Sequence, residues 1–231
     1  MTKSLDIKEN IEDLRQRLPS GVKLVAVSKF HPSSAIEEAY AAGQRCFAES
    51  RPQELFRKIG ELEGKCPEIE WQFIGHLQTN KLKLVLPYVS LVQSVDSVKL
   101  LQEIDRWGKA AGKTTDILLE MHIAGEDSKQ GFFEEEALEL LFNAGKYANI
   151  RFRGLMGMAS NVDDEEIVLS DFRRIADFKD YVCDLFPELE AFDILSIGMS
   201  GDWPLALQAG SNMVRIGSAI FGERSYISGY T

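Results

Sequence analysis

A lysine stands at the far end of a β-branched, apolar run, in Val25-Ala26-Val27-Ser28-Lys29-Phe30-His31-Pro32. Residues 24–27 read as a short buried strand, with no turn former before Pro32. Alternation along that strand places Lys29 on the same face as Val25 and Val27, where apolar side chains go. Burying an unpaired ammonium is costly, and the usual escape is a lowered pKa. A neutral amine in such a place is the species that forms a Schiff base with an aldehyde. The competing reading is a strand-end lysine that snorkels to water, and this window alone does not separate the two.

A second group of residues has the chemistry of an anion cup. Ile197-Gly198-Met199-Ser200-Gly201-Asp202 puts two glycines and a serine just before a predicted helix, and Arg215-Ile216-Gly217-Ser218 places a glycine where backbone amides can approach a ligand. Small residues, free N–H groups and a positive helix end together favour phosphate. Either loop alone reads as an ordinary turn between strand and helix. Taken with the strand-end lysine, they point to a phosphorylated ligand whose aldehyde reaches Lys29. In the polar loop Gly125-Glu126-Asp127-Ser128-Lys129-Gln130-Gly131, Lys129 is either a second transient amine or simply solvated.

Strands and helices alternate along the chain to position these groups. Apolar residues at helical spacing predict a helix over 4–18, before Pro19-Ser20-Gly21 stops it. Strands are expected at 22–28, 45–48, 70–74, 91–94, 116–123, 150–156, 193–197 and 213–216. Helices are expected from Pro32-Ser33-Ser34 to Ala42, with Ser33 or Ser34 as N-cap, and over 53–62, 80–88, 97–111, 134–144, 165–186 and 202–208. Strict alternation argues for a parallel sheet, and this many units of this size for closure into a (β/α)8 TIM-type barrel with an extra N-terminal helix. A doubly wound open sheet is the runner-up, but no GxGxxG follows an early strand. One domain over 1–231 is expected, with the first helix inside 1–20 and a loose tail at 224–231. In such barrels the working face lies at the C-terminal strand ends, and phosphate sits after strands seven and eight.

Totals narrow the function classes. The chain has 231 residues and a formal net charge of −10, which argues against nucleic acid or an anionic membrane as partner. Cys46, Cys66 and Cys183 are odd in number, with no CxxC spacing, and read as reduced thiols of a cytoplasmic protein. His31, His76 and His122 form neither HExxH nor a Cys/His cluster, so no metal site is expected. The polar N-terminus is not a secretory signal, and no apolar run reaches membrane-spanning length.

The motifs Val27-Ser28-Lys29 with Pro32, Glu49-Ser50-Arg51-Pro52-Gln53-Glu54, Trp71-Gln72-Phe73-Ile74-Gly75-His76-Leu77-Gln78-Thr79-Asn80-Lys81, Arg153-Gly154-Leu155-Met156-Gly157-Met158, Ser196-Ile197-Gly198-Met199-Ser200-Gly201-Asp202 and Val214-Arg215-Ile216-Gly217-Ser218-Ala219-Ile220-Phe221-Gly222 occur in this order. Over about Val22 to Gly222 the chain resembles the pyridoxal phosphate homeostasis proteins (YggS/PROSC-like). The resemblance implies a barrel of the alanine racemase N-terminal domain type, carrying pyridoxal 5′-phosphate (PLP) as a Schiff base on Lys29. It implies phosphate contacts from Ser200 and the amides of Gly217 and Ser218, with Arg215 facing the pyridine nitrogen. Two positions depart from the family pattern. Ala48-Glu49-Ser50 stands where Gly-Glu-Asn is usual, so Ser50 would supply a shorter hydrogen bond near the ring; Gln72 stands where histidine is frequent.

Arg215 bears on the chemistry. Guanidinium donates and does not accept, so against a pyridine nitrogen it keeps that atom unprotonated and PLP a poor electron sink. A barrel-end arginine paired with Asp193 or Glu223 is the structural alternative. The expectation is a cytoplasmic, monomeric PLP-binding protein that takes part in vitamin B6 homeostasis without turnover, with apo-PLP enzymes as recipients. A PLP-dependent amino-acid racemase is the enzymatic alternative. It needs a second acid/base opposite the first, and alanine racemases draw theirs from a C-terminal β-domain expected to be absent here. Tyr226 and Tyr230 in the tail are poor substitutes. An aldolase using Lys29 on a phosphorylated sugar is a third reading.

Overall fold

The computed structural model describes residues 6–123 and 130–223. Its strands are β1 (Lys23–Val27), β2 (Cys46–Glu49), β3 (Glu70–Phe73), β4 (Val89–Val95), β5 (Thr115–Glu120), β6 (Ile150–Met156), β7 (Ile194–Ser196) and β8 (Met213–Ile216). Each pairs in parallel with its neighbours, and β8 returns to β1 to close the barrel. The helices are α1 (Ile7–Arg17), α2 (Ser33–Ala41), α3 (Pro52–Leu62), α4 (Val98–Ala111), α5 (Glu134–Phe142), α6 (Glu165–Leu185), α7 (Trp203–Gln208) and α8 (Ser218–Phe221). The alternation expected of a (β/α)8 barrel with an added N-terminal helix is thus what the chain adopts.

Period-2 alternation sorts each strand into two faces. Leu24, Ala26, Phe47, Phe73, Val92, Ile117, Leu119, Leu155, Leu195, Val214 and Ile216 join the shell between strands and helices. Val25, Val27, Cys46, Ala48, Leu91, Leu118, Met156 and Met213 form a separate cluster inside the barrel. The same alternation turns Gln72, Gln93, Glu120, Ser196 and Arg215 inward, and all are buried. Polar and apolar side chains therefore meet inside the barrel: Arg215 lies level with Val25, Gln72 with Ala48, and Glu120 and Ser196 with Met156. Inside, burial pushes the Cys46 thiol up to about 12, so it stays protonated and inert.

Three local expectations are corrected. The segment between β3 and β4 forms a 3-10 turn over Thr79–Leu84 rather than a helix over 80–88. It has few residues to span before β4, and Pro87 ends any continuation. Pro32, not Ser33 or Ser34, is the N-cap of α2, with no side-chain cap bond; the Ser33 hydroxyl instead donates to Glu61 on α3. A short helix, α8, follows β8 where none was expected. At α4 both caps fall where their residue types predict. The Leu100 amide donates to Ser97 Oγ at the start of α4, and Gly112 ends that helix in the left-handed region at φ 62°. The expected tail at 224–231, and the loop centre with Lys129, lie outside the described residues.

Candidate functional site

At the C-terminal rim the sequence-predicted residues fall into two groups. The β7–β8 side is built from small residues and backbone. Ser200 lies in the turn between β7 and α7, and its Oγ accepts from the amides of Gly217 at 3.2 Å and Ala219 at 3.3 Å. Ser218 lies between those two donors at the start of α8. Gly217 packs against the end of β1: a Cβ there would sit 3.3 Å from the Val27 carbonyl oxygen and crowd the cup. Gly198, at φ 93°, allows the turn into α7, since a Cβ would meet the Ala206 Cβ at 2.6 Å.

Arg215 lies on β8 directly beside Val25 of β1 and is buried. Its Nη1 donates to the Ser196 carbonyl at 2.6 Å and to Ser196 Oγ at 2.8 Å, and its Nη2 donates to the Gly157 carbonyl at 2.9 Å. Ser196 Oγ in turn donates to Gln93 Oε1 at 2.7 Å, and Gln93 Nε2 donates to Gln72. Because guanidinium only donates, the polarity of this whole chain of bonds is set from Arg215 outward. The alternative pairing with Asp193 or Glu223 does not occur: Asp193 binds Arg153 at 3.2 Å. Among the described residues three of the five guanidinium hydrogens are committed, with Nε–H and one Nη2 hydrogen left as donors. Burial lowers the Arg215 pKa to about 10, still well above neutrality.

The β1–β2 side is held differently. Lys29 sits two residues beyond Val27, half-buried, in the turn that leaves β1. Behind it lies a knot of charge. Lys58 on α3 is fully buried and donates to the Ser28 carbonyl at 2.8 Å and to Glu49 Oε1 at 2.7 Å, with Glu54 Oε1 at 2.8 Å. Ser28 Oγ donates to Glu49 Oε1 at 2.7 Å, and the Phe30 amide donates to Glu54 Oε1 at 2.8 Å. Burial raises the Glu49 pKa, and Glu49 Oε2 has no hydrogen-bond partner among the described residues. Ser50 closes β2 on the same rim with its backbone against Gly75, where a Cβ would meet the Ser50 carbonyl oxygen at 2.1 Å.

Sequence reasoning missed several rim residues. Lys58 is a lysine on the apolar stripe of α3, between Leu55 and Leu62; that position was a readable signal. Glu120, the last residue of β5, is buried, and burial followed by the nearby Asp96 charge raises its pKa to about 7. Its Oε2 accepts from Gln130 Nε2 at 3.5 Å, and His76 Nδ1 lies 2.9 Å from Asp96 Oδ2. Glu120 was legible only once β5 was seen to stop there and not at 123. Among the described residues no group of His, Cys, Asp and Glu could hold a metal ion, and no helix is long and apolar enough to cross a membrane.

Comparison with known proteins places this geometry. Residues 4–225 match the family model for the alanine racemase N-terminal domain. The pyridoxal phosphate homeostasis protein of Vibrio alginolyticus is 40% identical over 232 residues, covering 95% of this chain and 98% of that one. The structure of PipY from Synechococcus elongatus PCC7942 with PLP bound superposes with a TM-score of 0.88 at 34% identity, over 94% of this chain and 100% of that one. An alanine racemase of Clostridium difficile shares the fold at a TM-score of 0.73, with 16% identity over 96% of this chain and 57% of its own. The chain belongs to the alanine racemase N-terminal domain family and, within it, to the pyridoxal phosphate homeostasis proteins.

Proposed function

We propose that this chain binds PLP on Lys29 and takes part in intracellular PLP homeostasis without turning over a substrate. The observation that carries the reading is the meeting at one rim of three elements. These are a half-buried lysine past β1, a hydroxyl and two amides converging from β7 and β8, and a buried guanidinium with donors to spare. Their chemistry fits the group. Ser200 Oγ and the amides of Gly217, Ser218 and Ala219 would hold the phosphate, Arg215 the ring nitrogen, and Ser50 a ring substituent. When bound, PLP supplies an aldehyde carbon that forms a C=N bond with an amine. Arg215 can only donate to the ring nitrogen, so it keeps that atom an acceptor and disfavours carbanion chemistry.

Free PLP reacts with any amine, which gives a carrier a physical purpose, and apo-PLP enzymes are the recipients this reading implies. A cytoplasmic monomer is the form proposed. The test is the visible spectrum of the purified protein before and after borohydride reduction, with the adduct mapped by mass spectrometry. A reduced adduct on residue 29 that vanishes in Lys29→Ala, with the fold intact by circular dichroism, supports the proposal; an adduct that survives that substitution rejects it. The racemase reading is tested separately by solvent-deuterium exchange into L- and D-amino acids. Loss of an α-hydrogen from any of them would overturn the non-catalytic assignment.

A further inference from the structure

The peptide groups flanking Lys29 are held by charged side chains, and this goes beyond what a loop needs in order to exist. On the N-terminal side, the Ser28 carbonyl accepts from Lys58 Nζ at 2.8 Å, and Ser28 Oγ donates to Glu49 at 2.7 Å. On the C-terminal side, the Phe30 amide donates to Glu54 at 2.8 Å. Lys58 and Glu49 are fully buried, and the Glu54 side chain is 13% exposed. Phe30 has φ 70°, a left-handed conformation that is costly for a bulky residue and persists only where its surroundings over-determine it. The Arg51 guanidinium, 4.6 Å from the Phe30 ring centroid, is part of those surroundings.

Hydrogen bonds alone would not require this much charge. Buried ion pairs are often no more stabilising than apolar replacements of similar volume. What apolar residues cannot do is fix the direction of the Ser28 and Phe30 peptide units. We propose that Glu49, Glu54 and Lys58 form a positioning clamp that orients the backbone at Lys29, so that its amine meets the aldehyde carbon at bonding angle. The inference rests on the PLP-binding reading. In the step concerned, the neutral Lys29 amine forms a C=N bond to the aldehyde carbon, the C=O bond breaks, and the oxygen leaves as water with the two amine hydrogens. Lys58, committed to three acceptors, takes no part in bond making.

Two sets of variants test the clamp. Glu49→Leu with Lys58→Met removes the charged pair and keeps the core filled, and Glu54→Ala is compared with Glu54→Gln, which keeps an acceptor for the Phe30 amide. The clamp predicts that the double variant and Glu54→Ala stay folded, and that they bind 4′-deoxypyridoxine 5′-phosphate, which lacks the aldehyde, as wild type does. Their rate of adduct formation with PLP at residue 29 is expected to fall roughly ten- to a hundred-fold, the cost of misplacing a reacting group by about 1 Å. Glu54→Gln is expected to react at near wild-type rate. Hydrogen exchange of the Phe30 amide should quicken in the slow variants and not in Glu54→Gln. Adduct formation at wild-type rate in both the double variant and Glu54→Ala would overturn the clamp, as would unchanged Phe30 exchange in them. If wild type binds the analogue but never forms the adduct, the PLP reading fails, and the exchange measurement still decides whether the clamp exists.

Discussion

The two sides of the rim solve opposite problems. Around β1, β2 and α3, three charged side chains with little or no solvent contact hold one turn of backbone. Around β7 and β8, a half-exposed hydroxyl and two amides gather at 3.2 and 3.3 Å, with small residues left open to a ligand. A covalent anchor needs its backbone fixed before the bond forms, and only interactions the solvent cannot contest will fix it. An anion brings its own charge, so the protein needs only donors held by bonds long enough to be exchanged for it, as the Gly217 and Ala219 amides are on Ser200 Oγ. The first side should therefore be expensive to damage and the second cheap.

The largest effect expected from this contrast is on Lys58. Lys58→Met alone leaves the buried Glu49 and the largely covered Glu54 without their cation, and breaking such a pair costs about 3–5 kcal/mol. Urea unfolding should show a loss of that size, and replacing Glu49 by leucine in the same chain should restore most of it. If Lys58→Met unfolds at the same urea concentration as wild type, the β1–β2 side is not held by charge and the contrast breaks.

An intermediate effect comes from Glu120, which faces the rim between the two sides. Its folded-state pKa, raised from 4.5 to about 7, means that the native state holds the proton more tightly than the unfolded chain does. Between those values the unfolded state binds fewer protons, so this group makes stability fall as pH rises through the window. Glu120→Gln removes that dependence. Near pH 4 the variant and wild type should be equally stable; near pH 8 the variant should be the more stable, by up to about 3 kcal/mol. Thermal melts across this range check the sign, and a variant less stable than wild type at pH 8 would show the Glu120 charge to be favourably paired.

The same contrast explains what could be read beforehand. The cup side was legible because its signals are local: a glycine, a serine and a helix start within a few residues of Ser200 and Gly217 announce free amides wherever the fold puts them. The strand pattern was legible because inward and outward positions alternate, as Val25 and Val27 against Leu24 and Ala26 show. The clamp was not legible, since Lys58 meets Ser28 across 30 residues of chain, and only the docking of α3 on β2 brings them together. The polar interior was half legible. Gln72 stands out in the sequence as a departure, yet its bond to Gln93, and through Ser196 to Arg215, depends on barrel closure between strands far apart in sequence. The 3-10 turn after β3 reads as a helix in the sequence because Leu82, Val85 and Leu86 carry helical spacing that also suits a tight turn packed on the core.

The smallest expected effect sharpens the comparison from the other side. Ser200 Oγ accepts two amide hydrogens at distances long enough that each bond is weak, and its residue is half-exposed, so water can replace it. Ser200→Ala should therefore shift the melting temperature little, within about 0.5 kcal/mol of wild type. Its effect should appear in ligand affinity, because a bound phosphate loses one hydroxyl donor while the amides of Gly217 and Ala219 remain. A neutral donor to a charged acceptor is worth about 1.5–3 kcal/mol, or roughly ten- to a hundred-fold in affinity for the aldehyde-free analogue. The rate of bond formation at Lys29, measured at saturating PLP, should be unchanged. That pairing of altered affinity with unaltered rate is the inverse of the pattern expected for the clamp variants. A Ser200→Ala protein that binds normally but reacts slowly would mean that the two sides of the rim act as one device.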